Sequence, residues 1–149
     1  MLPLRLLGTV VRGAGRGGKQ LNCPTANLDE VTVKSIPDAI VSGVYAGVAR
    51  VDSDSFRPMV MSIGYNIQFE QKTKTAEVHI LHDFTKDFYD SRLDVVVLKF
   101  MRPMETYKSL DELKRAIEQD KKNTLNYLES IKETIAEMLN KEDEQVAWK

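Results

Sequence analysis

TAEVHILH, residues 75–82, is the stretch with the clearest strand pattern in this chain. Its even positions are apolar as far as Ile80, whereas its odd positions include Glu77 and His79, so a strand here buries one face. A carboxylate at mid-strand is disfavoured unless it faces water or has a chemical role. The pattern alone favours a solvent-exposed Glu77, and His79 is expected to be a hydrogen-bonded structural residue.

Strand patterns recur on both sides of this stretch. They occupy Leu4–Arg12, Thr25–Leu28, Ser42–Val51, Arg57–Gly64 and Leu93–Met101. Gly43 and Gly47 predict bends of the kind that barrels use. The polar residues Asn66–Lys74 are expected to form a surface loop. Five or six short strands followed by helices predict a mainly β, α+β fold with a closed antiparallel barrel over about residues 4–103.

The spacing of apolar residues changes from a period of two to one of 3.6 after Pro103. Ser109–Glu112 is a capping box and predicts the start of a helix. The apolar face of this helix comprises Leu110, Leu113 and Ile117. A second helix is predicted after Asn123, and its apolar stripe comprises Leu128, Ile131, Ile135 and Met138. These helices, over about residues 109–140, are expected to pack against the barrel, with a partner protein as the alternative.

Length and composition limit the class of protein. The chain has 149 residues, 42% of them hydrophobic and 29% charged, which is typical of one globular domain spanning residues 1–149. A net charge of −1 gives no support to general binding of nucleic acid or membranes. The single cysteine, Cys23, excludes an internal disulfide and a cysteine zinc site. We therefore expect a cytoplasmic protein, and we expect it to be a monomer.

A basic glycine-rich segment, Gly13–Lys19, follows the first strand. Residues 13–18 include four glycines, whose amides can approach a bulky anion, and Arg16 and Lys19 add positive charge. The first acidic residue of the chain is Asp29, so this charge is locally unopposed. We expect a phosphate chain to lie here. A flexible basic loop without a ligand remains the alternative.

Two phosphate-binding patterns nearly fit this segment. The dinucleotide fingerprint needs a helix after its glycines, and Pro24 argues against a long one. A P-loop needs Ser or Thr after its lysine to bind magnesium, and this chain has Gln20. The nearest replacements are Thr25 and Asn27, which project to the same side of an extended segment. They could give two neutral oxygens to Mg²⁺ while the phosphates balance its charge.

These residues resemble the signature of riboflavin kinases, which transfer the γ-phosphoryl group of ATP to riboflavin and make FMN. The signature covers Gly13–Asn27. Further matches follow in the family's order at Ser62–Asn66, Glu77–His82, Asp87–Tyr89 and Arg102–Pro103. The resemblance runs from about Gly8 to about Ile117. It implies a six-stranded Greek-key barrel with a C-terminal helix.

The resemblance also implies the roles of individual residues. Glu77 falls on the family's catalytic base. The nucleotide site matches Gly13, Gly15, Arg16, Gly18, Lys19, Thr25, Ile80, His82 and Tyr89. Thr25 and Asn27 fall on the metal site, for which we expect Mg²⁺, with Zn²⁺ and Mn²⁺ as alternatives. The flavin site matches Arg102, Glu105 and Tyr107, although Met104-Glu105 departs from the family's charge pattern. The expected ligands are riboflavin or FMN and ATP or ADP.

The alternative function is a non-catalytic β-barrel that binds an anion or nucleic acid through the basic loop. Such barrels interleave stacking aromatic residues with basic ones. No aromatic residue occurs before Tyr45, so this alternative has less support. Bifunctional bacterial relatives carry an additional FMN adenylyltransferase domain, for which this chain has no room. We therefore expect an enzyme of the single-activity, eukaryotic type.

Overall fold

A computed structural model describes residues 2–11, 26–52, 55–68, 71–82 and 90–139 of the chain, with the backbone alone for 65–68 and 71–73. These residues form six strands and three helices. In chain order they are β1 (Leu4–Val11), β2 (Ala26–Leu28), α1 (Glu30–Lys34), β3 (Gly43–Val51), β4 (Arg57–Gln68), β5 (Gln71–Ile80), β6 (Arg92–Arg102), α2 (Leu110–Ser130) and α3 (Lys132–Leu139).

The six strands close into an antiparallel barrel in the order β1-β2-β5-β4-β3-β6. β3, β4 and β5 are consecutive neighbours, and β6 returns to pair with β3, which is the Greek-key arrangement. The predicted barrel class, strand count and topology are therefore confirmed.

Apolar side chains at alternate strand positions fill the barrel. Met59, Met61 and Ile63 of β4 point inward together with Val78 and Ile80 of β5, and all five are buried in one cluster. Each side chain of this size contributes about 1.5–3 kcal/mol when it is removed from water. Because the side-chain period of a strand is two, the residues between them face the outer wall of the barrel.

The glycine bends predicted in β3 are present. The pairing of β3 with β6 shifts register between Ala46 and Gly47. A Cβ atom at Gly47 would collide with the backbone oxygen of Val96, so only glycine permits this close approach of the two strands.

The prediction of a surface loop over Asn66–Lys74 is wrong for most of that segment. The β4–β5 ladder continues through the pairs Asn66↔Thr73 and Gln68↔Gln71. Residues 69–70 lie outside the described part of the chain. Backbone hydrogen bonds between β4 and β5 determine the structure here, and polar side chains do not prevent them. Because the segment has no apolar periodicity, its sequence did not predict a strand.

The short helix α1 was not predicted. Asp29 is its N-cap, and the Asp29 carboxylate accepts hydrogen bonds from the Thr32 amide at 3.2 Å and the Thr32 hydroxyl at 2.6 Å. The same carboxylate accepts from the Thr9 amide of β1 at 2.8 Å. Asp29 therefore joins the end of β2 to β1 near the C-terminal end of β1.

The two C-terminal helices cover part of the outer wall, but their boundary differs from the prediction. α2 runs without interruption through Asn123, and the chain leaves helical geometry at Ile131. The break changes the phase of the apolar stripe, so Leu139 is buried and Met138 is 38% exposed. Leu110, predicted on the apolar face of the first helix, is 48% exposed.

A second apolar cluster, outside the barrel, attaches these helices. It comprises Val48, Phe56, Val96, Leu128, Ile135 and Leu139. The expectation that the helices pack against the barrel is therefore confirmed. Among the described residues, no helix combines the length and apolar character that crossing a bilayer requires.

Candidate active site

Glu77 and Asn27 stand opposite each other on neighbouring strands. β2 pairs with β5 through Ala26↔Val78 and Asn27↔Glu77. Ala26 and Val78 lie in the barrel core, so Asn27 and Glu77 face the outer wall, where both are half-buried. Opposed residues on antiparallel strands have side chains within direct reach of each other. The predicted base and one predicted metal ligand thus form one pair.

The same row of residues continues around the barrel. Glu77 pairs with Ser62 on β4, Ser62 pairs with Val44 on β3, and Val44 pairs with Arg102 on β6. Arg102 is therefore three strands from Glu77 along one row of the outer wall. At ordinary strand spacing, the path from Glu77 to Arg102 along the curved wall is about 14 Å. We call the row Asn27, Glu77, Ser62, Val44 and Arg102 the outer row.

Burial controls the electrostatics of Glu77. Its half-buried position raises the pKa of the carboxyl group above the ordinary value, because removal from water disfavours the charged form. No ion-pair partner for Glu77 occurs among the described residues. The outer wall therefore carries a carboxylate with increased basicity, as a group that accepts a proton requires.

His79 follows Glu77 on the same face of β5 and is buried, with Lys121 and Glu118 of α2 nearby. The pKa of His79 is lowered to about 4, chiefly by burial and also by nearby Lys121, whereas Glu118 has a smaller, opposite effect. The imidazole is therefore neutral at physiological pH. This environment fits the structural role expected from the sequence.

The predicted flavin residues lie together at the other end of the outer row. Arg102 Nε and Nη2 donate to the two carboxylate oxygens of Asp120 on α2, each at 2.8 Å. The guanidinium carbon is 6.0 Å from the ring centre of Tyr107. The hydrogen bond with Asp120 raises the pKa of Arg102, with smaller contributions from Tyr107 and Glu105.

The segment after Pro103 returns over the outer wall towards β4. A Cβ atom built at Gly64 would be 3.9 Å from the terminal methyl group of Met104. Glu105 is exposed, whereas the Tyr107 hydroxyl oxygen is buried and has no hydrogen-bond partner among the described residues. The segment therefore borders the space above Ser62 and Gly64, between the two ends of the outer row.

The predicted nucleotide residues are described only in part. The Ile80 side chain lies in the barrel core, so a contact between Ile80 and a nucleotide would involve its backbone. His82 Nδ1 accepts from Arg57 Nη1 at 3.1 Å, because a guanidinium can only donate. The remaining predicted residues lie outside the described residues. They are Gly13, Gly15, Arg16, Gly18, Lys19, Thr25 and Tyr89.

The sequence does not single out two residues of this site. Ser62 belongs to the Ser62–Asn66 motif, and its position next to Glu77 follows from the β4–β5 register. Asp120 is one of many charged residues on α2, and no local pattern distinguishes it from the exposed ones. Its burial, at 8% exposure, and its pairing with Arg102 become visible only in the folded chain.

A surface cavity of about 780 Å³ lies elsewhere, on the outer wall at β1, β3 and β6. It is lined by Arg5, Leu7, Arg50, Asp52, Arg92 and Asp94. The buried Asp94 accepts two hydrogen bonds from Arg5 and lies 3.3 Å from Arg50. None of the predicted site residues lines this cavity, and its charged groups pair with one another. We therefore assign it no part in the reaction.

The fold and the site define the class of protein: a closed Greek-key barrel with a polar site on its outer wall. The sequence model of one family, described as Flavokinase (riboflavin kinase), matches residues 1–128. Human riboflavin kinase is 44% identical over 119 residues, which cover 80% of this chain and 77% of the human protein. The chain belongs to the riboflavin kinase family and is therefore a member of a family of kinases.

Solved structures agree on the fold. The riboflavin kinase of Trypanosoma brucei superposes with a TM-score of 0.68 at 28% identity, over 87% of this chain and 82% of that one. A Streptococcus pneumoniae structure described as a macrolide-efflux protein superposes with a TM-score of 0.71 at 31% identity. That likeness covers 83% of this chain but 39% of the other, so it concerns one part of the larger protein.

Proposed function

We propose that the outer row is the active site of a riboflavin kinase in this chain. The chain transfers the γ-phosphoryl group of ATP to the 5′-hydroxyl group of riboflavin and gives FMN and ADP. The observation that carries the site assignment is the Asn27↔Glu77 pair, which joins a proton acceptor to a metal ligand. Family membership supports the reaction itself.

Glu77 acts as the base. Phosphoryl transfer through a loose transition state depends mainly on alignment, so a carboxylate that orients the hydroxyl and accepts its proton late is sufficient. The raised pKa of Glu77 supports this role, because it brings the basicity of the carboxylate closer to neutral pH. His79 takes no part as a second base, since its pKa of about 4 makes it a weak proton acceptor and its side chain is buried.

Asn27 supplies one oxygen to the metal, and Thr25 supplies another. The half-buried amide of Asn27 fits a hard cation, because neutral oxygens suit Mg²⁺ when phosphates balance its charge. When bound, the metal neutralises charge on the phosphate oxygens and holds them for in-line transfer. We propose Mg²⁺, with Zn²⁺ and Mn²⁺ as the alternatives to be tested.

The glycine-rich segment, with Gly13, Gly15, Arg16, Gly18 and Lys19, binds the phosphates through amides and positive charge. His82 and Tyr89 contact the adenosine part. The hydrogen bond from Arg57 supports the role of His82. Because His82 Nδ1 accepts this bond, a neutral ring carries its hydrogen on Nε2, which can then donate to the adenosine part. Ile80 contributes its backbone to this contact.

Riboflavin lies along the outer row. Its reacting hydroxyl is at Glu77 and its flat ring system is at Arg102, with the ribityl chain between them over Ser62. Arg102 and Tyr107 offer a guanidinium plane and an aromatic ring to the isoalloxazine, and Glu105 lies beside them. The buried Tyr107 hydroxyl supports the assignment, because a ligand that gives it a partner removes a cost of about 1–3 kcal/mol.

One assay tests the reaction. Purified protein is incubated with ATP, MgCl₂ and riboflavin, and FMN and ADP are quantified after chromatographic separation. We expect one FMN per ADP, with no FAD. Absence of FMN, together with retention of single-stranded oligonucleotides, would instead support the non-catalytic barrel. The same preparation is measured for molecular mass, because we propose a monomer, and we also propose a cytoplasmic location.

A further inference from the structure

Asp120 is a buried carboxylate that holds Arg102 from the adjacent helix. Both carboxylate oxygens accept from the guanidinium at 2.8 Å, in the bidentate arrangement that fixes the plane of an arginine. Nη1 of the same guanidinium also donates to the Pro103 backbone oxygen at 3.2 Å. These bonds fix the orientation of the Arg102 side chain, of which 24% remains exposed to solvent.

The pairing also changes what Arg102 offers to a ligand. With its charge balanced by Asp120, the guanidinium provides a flat face and outward N–H groups but little net positive charge. Such a surface suits an uncharged, planar, carbonyl-bearing ring better than a phosphate. The isoalloxazine of riboflavin belongs to that chemical class.

Stability alone is a weak explanation of this pair. Two apolar residues of similar volume often stabilise a fold as well as a buried ion pair does, because both charges lose their hydration. α2 is also attached to the barrel through Leu128, which is completely buried in the second apolar cluster, outside the barrel. The attachment of the helix therefore does not require a charge at Asp120.

We propose that Asp120 is a positioning residue of the flavin site, which orients Arg102 and balances its charge so that the guanidinium can receive the flavin ring. The inference rests on the assignment of Arg102 to that site under the proposed function. It makes α2 part of the substrate-recognition machinery as well as a cover for the barrel.

The variant D120N tests the proposal because it keeps the volume and removes the charge. We expect the KM for riboflavin to rise about 10–100-fold, with the KM for ATP changed less than about 2-fold. The matched control is E118Q, which removes an exposed acid from the same helix and is expected to leave both constants unchanged. Thermal unfolding measured in parallel gives the structural effect separately.

A double-mutant cycle shows whether Asp120 acts through Arg102. In the R102M background, D120N is expected to change the riboflavin KM by less than about 2-fold, because the group it positions is gone. If D120N alone does not fold, D120E replaces it: this variant keeps the charge but moves the carboxylate, so it too should raise the riboflavin KM while it folds.

The outcomes separate the two assignments. If R102M leaves the riboflavin KM unchanged, the flavin-site assignment is wrong and this inference is overturned with it. If R102M raises the riboflavin KM but D120N and D120E leave it unchanged, Asp120 has no positioning role and the site assignment stands. Equal changes in the riboflavin and ATP constants, in parallel with lost thermal stability, would also overturn the inference in favour of a structural role.

Discussion

Glu77 of β5 and Asn27 of β2 form a directly opposed pair on the outer wall of the barrel. The two residues are far apart in the sequence, and only the antiparallel pairing of a short strand with a long one brings them together. Their side chains place a carboxylate and a carboxamide next to each other on the outer wall. This juxtaposition links the proton acceptor to the metal site in the proposed mechanism.

Replacement of Asn27 by Leu tests the metal site. We expect the Mg²⁺ concentration at half-maximal activity to rise at least about 10-fold, because an oxygen ligand is lost at nearly constant volume. The measurement is a Mg²⁺ titration of FMN formation at fixed ATP. Asn123→Leu, on the exposed side of α2, is the control. An unchanged titration in the Asn27 variant would mean that the metal is held elsewhere.

The raised pKa of Glu77 predicts the pH dependence of activity. A protonated carboxyl group cannot accept the hydroxyl proton, so kcat/KM for riboflavin should fall as pH decreases through the pKa of Glu77. Because burial raises this pKa, the acid limb should lie above the ordinary range of glutamate. His79→Gln should retain the limb. A limb that disappears in that variant would assign it to His79 instead.

Much of this site could be predicted from the sequence, but its geometry could not. Alternation in residues 75–82 and the glycine bends predicted strands and a barrel, because these are local properties of a half-buried strand. The outer row depends on strand order and register, which arise from pairing between distant segments. Asp120 looks like any other acid on a charged helix until its burial is known. The short helix α1 spans too few residues to show a period.

His79 should make the stability of the fold depend on pH. Its pKa is about 4 in the folded chain and near 6.5 in the unfolded chain, so between these values the unfolded chain binds more protons. Stability therefore rises with pH through this window. The contribution is present above about pH 6.5 and is lost towards pH 4, with a size on the order of 1–3 kcal/mol.

The measurement is urea unfolding of the wild-type chain and of His79→Gln at several pH values. The difference in unfolding free energy between the two proteins isolates the histidine from the other titrating groups, including Glu77, Glu118 and Lys121. We expect the wild type to lose more stability than the variant as the pH falls. A difference that is constant across the window would show that His79 titrates normally in the fold.

Glu77→Gln should also separate stability from function. The folded chain disfavours the charged form of Glu77, so at neutral pH the uncharged amide should leave the thermal midpoint equal to that of the wild type or higher. Glu129→Gln, at an exposed position of α2, serves as the matched carboxylate-to-amide control. A strongly lowered midpoint in Glu77→Gln would show that the carboxylate supports the fold.

Single-turnover FMN formation by Glu77→Gln tests the central assignment most directly. Enzyme in excess over riboflavin is mixed with Mg-ATP, and the rate of the chemical step is compared with that of the wild type, alongside ADP affinity. We predict a rate lowered about 10²–10⁴-fold, with ADP affinity within about 2-fold, because only the proton acceptor is removed. A variant that retains more than about a tenth of the wild-type rate would contradict the assignment of Glu77 as the base.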